Sequence, residues 1–364
     1  MDFKVRDEIL TVEKYIPGKP IGKVRGRNNE LSVINMASNE NPLGCSEKVK
    51  IALKKVLEKP NRYPDSASFY LKNEISKLWS IKDSEIFCGT GSDSLLKIIC
   101  DTILEKDDES IVYDLTFPRY ETCIKLRGAK PIRVSLKNFK IDLNDVISAV
   151  TDKTKIIWLC NPNNPTGTIF IHKELENFLE RIPQSIYVVI DEAYGEFVID
   201  ENYPDSINLM KKYKNIIILR TFSKAYGLAS LRVGYGIAHE KLVDCIERVI
   251  NPFDVNAFAQ VAAIEAIKDR EFLKEVKEFN ASQREFIINE LKKIGINSVE
   301  SHGNFILAYV GDKEEKIAAY FLDNGYLVRE GTKIGIPKYL RISIGKEIDN
   351  KKVIDLIKRY LENK

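Results

Sequence analysis

The chain has 364 residues, 44% hydrophobic and 30% charged, which is enough for one large cored unit and a smaller second one. Lysine and arginine exceed aspartate and glutamate only by 56 to 53 and are scattered among acids, so no basic footprint for nucleic acid stands out. Six dispersed cysteines without CxxC spacing and three isolated histidines argue against a disulfide frame and against a metal centre, and suit reduced thiols in a cytoplasm.

The N-terminal stretch MDFKVRDEIL mixes both charge signs and lacks the apolar run of a secretory signal, and no later run is long enough to span a bilayer. Residues 1–34, with Pro17-Gly18-Lys19-Pro20, read as an extended arm that crosses onto a partner or hangs loose. Phe87-Cys88 end a short strand, and Gly89-Thr90-Gly91-Ser92-Asp93 then open a helical pattern over 92–104. That glycine pair lacks the third glycine of a dinucleotide fingerprint, and no GxxxxGK[ST] occurs. Ile111-Val112-Tyr113 read as a strand and 119–126 as a helix; Ile156-Ile157-Trp158-Leu159 form the next strand and run into Cys160-Asn161-Pro162-Asn163-Asn164-Pro165-Thr166-Gly167. After a helix over 173–181, the run from Ile186 to Ile190 ends in Asp191, with Tyr194 three residues on. Ile216 to Leu219 lead into Thr221-Phe222-Ser223-Lys224, and Arg232 lies eight residues after that lysine. These strands are too apolar to have a wet face, and helices fall between them, which is the pattern of a mainly parallel α/β sheet covered on both sides. From about Asn256 the texture changes to long amphipathic helices, above all 270–294, with short strands after them and a last helix over 350–361. The expected division is an arm over 1–34, a large unit over 35–253 and a small α+β unit over 254–364.

In an open α/β sheet, ligands lie outside the carboxyl ends of the strands, so the residues just after each apolar run carry the most chemical interest. Taken singly they are bland: a strand-end carboxylate often caps a helix, and Asn-Asn-Pro-Thr-Gly can be a plain turn. Taken in order, they form a set. Tyr15-Ile16-Pro17-Gly18-Lys19-Pro20, Asn39-Glu40-Asn41-Pro42, Arg62-Tyr63-Pro64-Asp65, Gly91-Ser92-Asp93, Thr116-Phe117-Pro118-Arg119-Tyr120, residues 160–167, Asp191-Glu192-Ala193-Tyr194, Phe222-Ser223-Lys224-Ala225-Tyr226-Gly227, Leu231-Arg232-Val233-Gly234, Val328-Arg329 and Leu340-Arg341 together resemble the histidinol-phosphate aminotransferase family. Those are fold type I enzymes dependent on pyridoxal 5'-phosphate (PLP), and the resemblance covers nearly the whole chain.

The resemblance implies that Lys224 holds PLP covalently and shuttles a proton, as a desolvated amine near other cations can. It implies that Asp191 faces the ring nitrogen, that Tyr194 and Asn164 hydrogen-bond the phenolic oxygen and that Phe117 stacks on the ring. Gly91, Ser92 and Asp93, at a helix start, would receive the phosphate together with Thr221, Ser223 and the forked donor Arg232. Tyr63 would reach the phosphate from the other subunit, making a homodimer with a shared site. Arg341, Arg329, Tyr15 and Asn39 would form the substrate pocket. The implied reaction converts L-histidinol phosphate and 2-oxoglutarate to imidazole-acetol phosphate and L-glutamate in histidine biosynthesis, with aromatic amino acids as further substrates. An aminotransferase of a small phosphorylated ketone or a phospho-amino-acid decarboxylase is the alternative within enzymes; an effector domain of a transcription regulator, which needs a helix-turn-helix segment, is the alternative outside them. The chain departs from the family pattern at Ser66, Ser94 and Asp254. At the last, a carboxylate stands where the family commonly has asparagine, and unpaired it would repel a phosphorylated substrate.

Overall fold

The apolar runs form the strands of a sheet buried on both faces. The computed structural model describes residues 4–14 and 33–362. In chain order its strands are β1 (Ile34–Asn35), β2 (Ile86–Gly89), β3 (Glu109–Tyr113), β4 (Lys130–Val134), β5 (Thr154–Cys160), β6 (Tyr187–Asp191), β7 (Ile216–Thr221), β8 (Gly234–Ala238), β9 (Ser298–Val299), β10 (Phe305–Tyr309), β11 (Tyr326–Leu327), β12 (Arg329–Glu330) and β13 (Tyr339–Ser343). Seven of them make the large sheet, in the order β2-β8-β7-β6-β5-β3-β4. Only β8 runs against its neighbours. Because successive residues of a strand point to opposite faces, Ile157, Leu159, Val188, Ile190, Ile216 and Ile218 fill one core while Ile156, Trp158, Val189, Ile217 and Leu219 fill the other. Each such side chain contributes roughly 1.5–3 kcal/mol by leaving water, which is why these strands tolerate almost no polar residue before their ends.

The parallel direction has a direct consequence: the carboxyl ends of β2, β3, β5, β6 and β7 lie along one edge of the sheet, and β8 starts there. Two of the strands, β4 and β8, have no apolar run to mark them. The first is a short edge strand carrying Pro131, where proline's missing N–H is tolerated. The second is Gly-Tyr-Gly-Ile-Ala, poor in strand-forming residues, but Gly236 is demanded by packing: a Cβ there would sit 2.0 Å from the Phe87 ring.

The smaller unit is a four-stranded antiparallel sheet, β12-β13-β10-β9, and a parallel pair, β1 with β11. The helices Arg270–Lys293, Glu314–Asp323 and Glu347–Glu362 cover it. Its border differs from the expected one at residue 254. Val255 and the helix Ala257–Lys268 pack into the large unit's core through Ala259, Ala262, Ala263, Ala266 and Ile267, while Met36 packs into the small unit's core. The chain therefore passes from one core to the other within the long helix Arg270–Lys293. Tyr194, Phe197, Ala225, Val276 and Phe305 form a separate apolar cluster at this junction, drawn from both units. Among the described residues, no helix is long and apolar enough to cross a membrane, and no group of His, Cys, Asp and Glu could hold a metal ion.

Candidate active site

Strand order dictates how the chemistry is laid out. Reading across the edge from β2 to β3, the groups after each strand are the helix start at Gly91, the Arg232 loop before β8, Lys224 after β7, Asp191 at the end of β6, Asn164 after β5 and Phe117 after β3. Strands in a sheet are about 4.8 Å apart, so a flat ligand lying across their ends meets an anion seat, an amine and a carboxylate in turn.

Asp191 is 4% exposed and each of its oxygens takes one donor. The Tyr120 hydroxyl donates to Oδ2 at 2.7 Å and the Ala193 N–H to Oδ1 at 3.1 Å. Burial nonetheless pushes its carboxyl up to about 6, against the pull of those two donors. Tyr120 is itself fully buried, stacked on Trp158 with centroids 5.1 Å apart, and sits edge-on to Phe117 at 5.7 Å. It belongs to the stretch 116–120, yet its role is not legible in the sequence, because a tyrosine at the second position of the helix over 119–126 carries no local sign of reaching the next strand end but one.

Lys224 is half-buried and its Nζ donates to the Ser38 carbonyl at 2.9 Å. Desolvation, then Arg341, lower its amine to about 8; Glu40 works against them and Arg232 adds a smaller push downward. A lysine in that range keeps a substantial neutral fraction near pH 8, which a nucleophilic amine needs. The Tyr194 ring lies 5.7 Å from Nζ. Tyr194 is buried, its phenol pushed up to about 12 by desolvation, and its oxygen accepts a hydrogen bond from Asn39 Nδ2 at 3.1 Å.

The candidate anion seat combines a helix start with side-chain donors. Gly91, at φ 79°, precedes the helix Ser92–Ile103, whose first N–H groups are free of intrahelical partners. Arg232 lies so close over Gly91 that a Cβ there would be 2.5 Å from Nη2, which explains the glycine. Its Nη1 donates to Ser223 Oγ at 3.1 Å and to the Ala229 carbonyl at 3.0 Å, and Thr221 Oγ1 accepts from the Ser223 N–H at 3.1 Å. Asp93 is ion-paired with Arg119 at 2.9 Å.

On the small-unit side, Arg341 extends from β13. Its Nη1 donates to Asn164 Oδ1 and its Nη2 to the Ala37 carbonyl, both at 2.6 Å, and its guanidinium lies 5.5 Å from the Phe305 ring. Arg329 pairs directly opposite Arg341 in the β12–β13 ladder, so the two side chains leave the sheet on the same face. Asn39, buried at φ 56°, is clamped by Ser343: its N–H donates to Ser343 Oγ and its Oδ1 accepts from the same hydroxyl, both at 2.9 Å. Asn304 holds the Asn39 carbonyl at 3.0 Å, another residue that sequence reasoning did not single out.

One of the expected site residues stands apart from this gathering. Tyr63 is 82% exposed and stacks on Phe253, with centroids 4.5 Å apart. Tyr15 lies outside the described residues. Asp254 does not meet Arg341 or Arg329: its Oδ2 accepts from the Thr90 N–H and is paired with the Thr90 hydroxyl, both at 2.9 Å. Its carboxylate is therefore hydrogen-bonded to a neutral residue, in the turn before the helix Ser92–Ile103. Behind the strand ends, Arg220 on β7 is sandwiched between Glu192 and Glu196, buried and stacked 4.3 Å over Trp79, an ion cluster that binds the ends of β6 and β7 together.

The arrangement fits a long, flat, anionic aldehyde with a basic ring nitrogen. A buried acid whose carboxyl is raised calls for a protonated partner, an amine of lowered basicity suits carbonyl condensation, and a helix start with an arginine across it suits a phosphate ester. The family model described as aminotransferase class I and II matches residues 32–357. A histidinol-phosphate aminotransferase from Caldicellulosiruptor saccharolyticus is 42% identical over 98% of this chain and 99% of its own. Among solved structures, the histidinol-phosphate aminotransferase from Clostridium acetobutylicum is similar with a TM-score of 0.85 at 26% identity, covering 91% of this chain and 100% of that one. The enzyme of that name from Sinorhizobium meliloti, solved in complex with pyridoxal-5'-phosphate, reaches a TM-score of 0.88 over 99% of both chains at 22% identity, a likeness of fold. Sheet order, family match and full-length relatives agree, and the chain belongs to the class I and II aminotransferases.

Proposed function

We propose that this chain is a PLP-dependent aminotransferase that converts L-histidinol phosphate and 2-oxoglutarate to imidazole-acetol phosphate and L-glutamate, in the cytoplasm, as a homodimer. The observation that carries the reading is the placement, after neighbouring strands β6 and β7, of the buried carboxyl of Asp191 and the amine of Lys224, with burial raising the first and lowering the second. Full-length relatives bearing that activity supply the substrate.

When bound, PLP supplies a carbonyl carbon that takes up the amino group and a ring that draws electron density from the substrate α-carbon. Lys224 would hold it through its amine and would carry a proton to and from the substrate α-carbon. Asp191 keeps the ring nitrogen protonated, Tyr194 and Asn164 serve the phenolic oxygen, and Phe117 covers the ring. Gly91, Ser92, Asp93, Thr221, Ser223 and Arg232 take the phosphate. Arg341 and Arg329, adjacent on one sheet face, give the pocket a forked anion grip suited both to a phosphate ester and to the carboxylates of 2-oxoglutarate. Asn39 lines that pocket, and the family resemblance adds Tyr15 as a further anion contact.

Exposed aromatic residues Tyr63, Phe69, Tyr70 and Phe253 support assembly with a second copy, in which Tyr63 reaches the partner's phosphate seat. Mixing Lys224→Ala with Tyr63→Phe chains tests this: hybrid dimers should regain part of the activity, and a monomer in light scattering would refute it. Purified enzyme with 2-oxoglutarate as acceptor, offered histidinol phosphate, tyrosine and phenylalanine in parallel, tests the substrate. Turnover is expected to be fastest with histidinol phosphate, and carbon dioxide release without a keto acid would mark a decarboxylase instead.

A further inference from the structure

Thr90 sits between Gly89 and Gly91, in the turn that ends β2 and starts the helix at the anion seat. It is held from 164 residues further along the chain. The Asp254 Oδ2 takes the Thr90 N–H and lies equally close to its hydroxyl, and that hydroxyl is also 2.8 Å from the Asp254 carbonyl oxygen. The residue before, Phe253, is in the left-handed region at φ 61°, an uncommon conformation for a bulky side chain, and its ring is stacked on Tyr63. The segment is thus fixed on both sides of the carboxylate, and the turn has little freedom of its own: a Cβ on Gly89 would strike Leu95, and one on Gly91 would strike Arg232.

Two effects of opposite sign follow from one side chain. As an acceptor, Asp254 orients the turn so that Gly91 and the start of helix Ser92–Ile103 face the anion. As a negative charge beside that seat, it opposes any dianion bound there. We infer that Asp254 is a positioning residue for the cofactor phosphate, acting through Thr90, and that its charge holds phosphate affinity below what the surrounding donors alone would give. This rests on the PLP reading of the site. It gives the carboxylate at this position a role distinct from substrate recognition, since its hydrogen bonds go to the turn.

Substitution separates the two effects. Asp254→Asn keeps an oxygen for Thr90 and removes the charge; Asp254→Ala removes both. With cofactor-stripped enzyme titrated by protein fluorescence, Asp254→Asn should bind PLP about threefold to tenfold more tightly, a gain that shrinks at high salt, and Asp254→Ala should bind it about tenfold more weakly. Pyridoxal, which has no phosphate, should show no gain in Asp254→Asn. Inorganic phosphate, measured by calorimetry on the same stripped proteins, should follow the order of PLP and so tests the seat without the cofactor's ring. Equal PLP affinity for wild type and Asp254→Asn would overturn the charge effect, and equal affinity for Asp254→Asn and Asp254→Ala, which differ only in the acceptor offered to Thr90, would overturn the positioning. If wild type took up phosphate in the expected order across the variants but never PLP, the cofactor reading would fall while the role of Asp254 at an anion seat would stand.

Discussion

The proposed cofactor side and the proposed substrate side of the site are built on different plans. Asp191, Thr221 and the loops to Lys224 and Arg232 hang from β6, β7 and β8, neighbouring strands of one buried sheet with its helices on both faces. Arg341, Arg329 and Asn39 come instead from the smaller unit and the segment after β1, and they meet the large unit through a few polar contacts, among them Arg341 to Asn164 and Asn39 to Tyr194. The first plan fixes charges at set spacings regardless of ligand. The second places the anion grip on a separate core, joined to the first by these contacts and by the apolar cluster around Tyr194 and Phe305.

That contrast predicts which kinetic constant each change will move. The largest effect should come from the rigid side. Lys224→Ala should lower turnover by roughly 10^4-fold or more with PLP still bound noncovalently, since nucleophile and proton carrier are lost together. Absorbance titration and single-turnover rates check it, and wild-type turnover would remove Lys224 from its role. The same lysine leaves a mark on stability. Its pKa falls from 10.5 unfolded to about 8 folded, so the folded state binds fewer protons between these values and the cofactor-free protein should gain stability as pH rises through that window. Lys224→Met should lose that rise.

Asp191→Asn should follow, with kcat down by roughly 10^2 to 10^3-fold and little change in the Michaelis constants, because the amide cannot hold a proton on the ring nitrogen. Near-normal rates would refute the assignment. Arg341→Ala belongs to the other side and should show the opposite split. Michaelis constants for glutamate and for the phosphorylated substrate should rise together by roughly 10- to 100-fold, the worth of a charge-assisted bond pair, with kcat changed less. An unchanged value for both substrates would place the anion grip elsewhere.

The two plans also differ in how far they could be read from sequence. Gly91, Asp191 and Lys224 follow apolar runs, with Arg232 eight residues past the lysine, and parallel strands bring the ends of such runs together, so local pattern and one topological rule mark these positions while the resemblance supplies their roles. Arg341 and Arg329 lie on short strands whose pairing is set by tertiary contacts; nothing local distinguishes them from other surface arginines, and they came only from family resemblance. The same limit hid the Asp254 to Thr90 contact, which spans 164 residues, and the border between the units, where the alanine-rich face of Ala257–Lys268 fits either core. Strand β8 was missed because its glycines, poor strand formers, are there to make room for the Phe87 ring.

The smallest predicted effect tests how the rigid side is tuned. The Tyr120 hydroxyl is one of two donors that pull the Asp191 carboxyl down against its burial, so Tyr120→Phe should move that carboxyl further up from about 6 and slow turnover by only about threefold to tenfold. A carboxyl raised from 3.8 unfolded to about 6 folded makes the native state bind more protons between those values. Stability of the cofactor-free protein must therefore fall as pH rises through that window, and be fully present below it. Tyr120→Phe should carry the fall to higher pH, Asp191→Asn should abolish it, and thermal melts of the stripped proteins from pH 4 to about 7 measure both against wild type. If Tyr120→Phe followed the wild-type curve, the hydroxyl would be packing beside Asp191 without acting on its charge, and the tuning would come from burial and the Ala193 N–H alone.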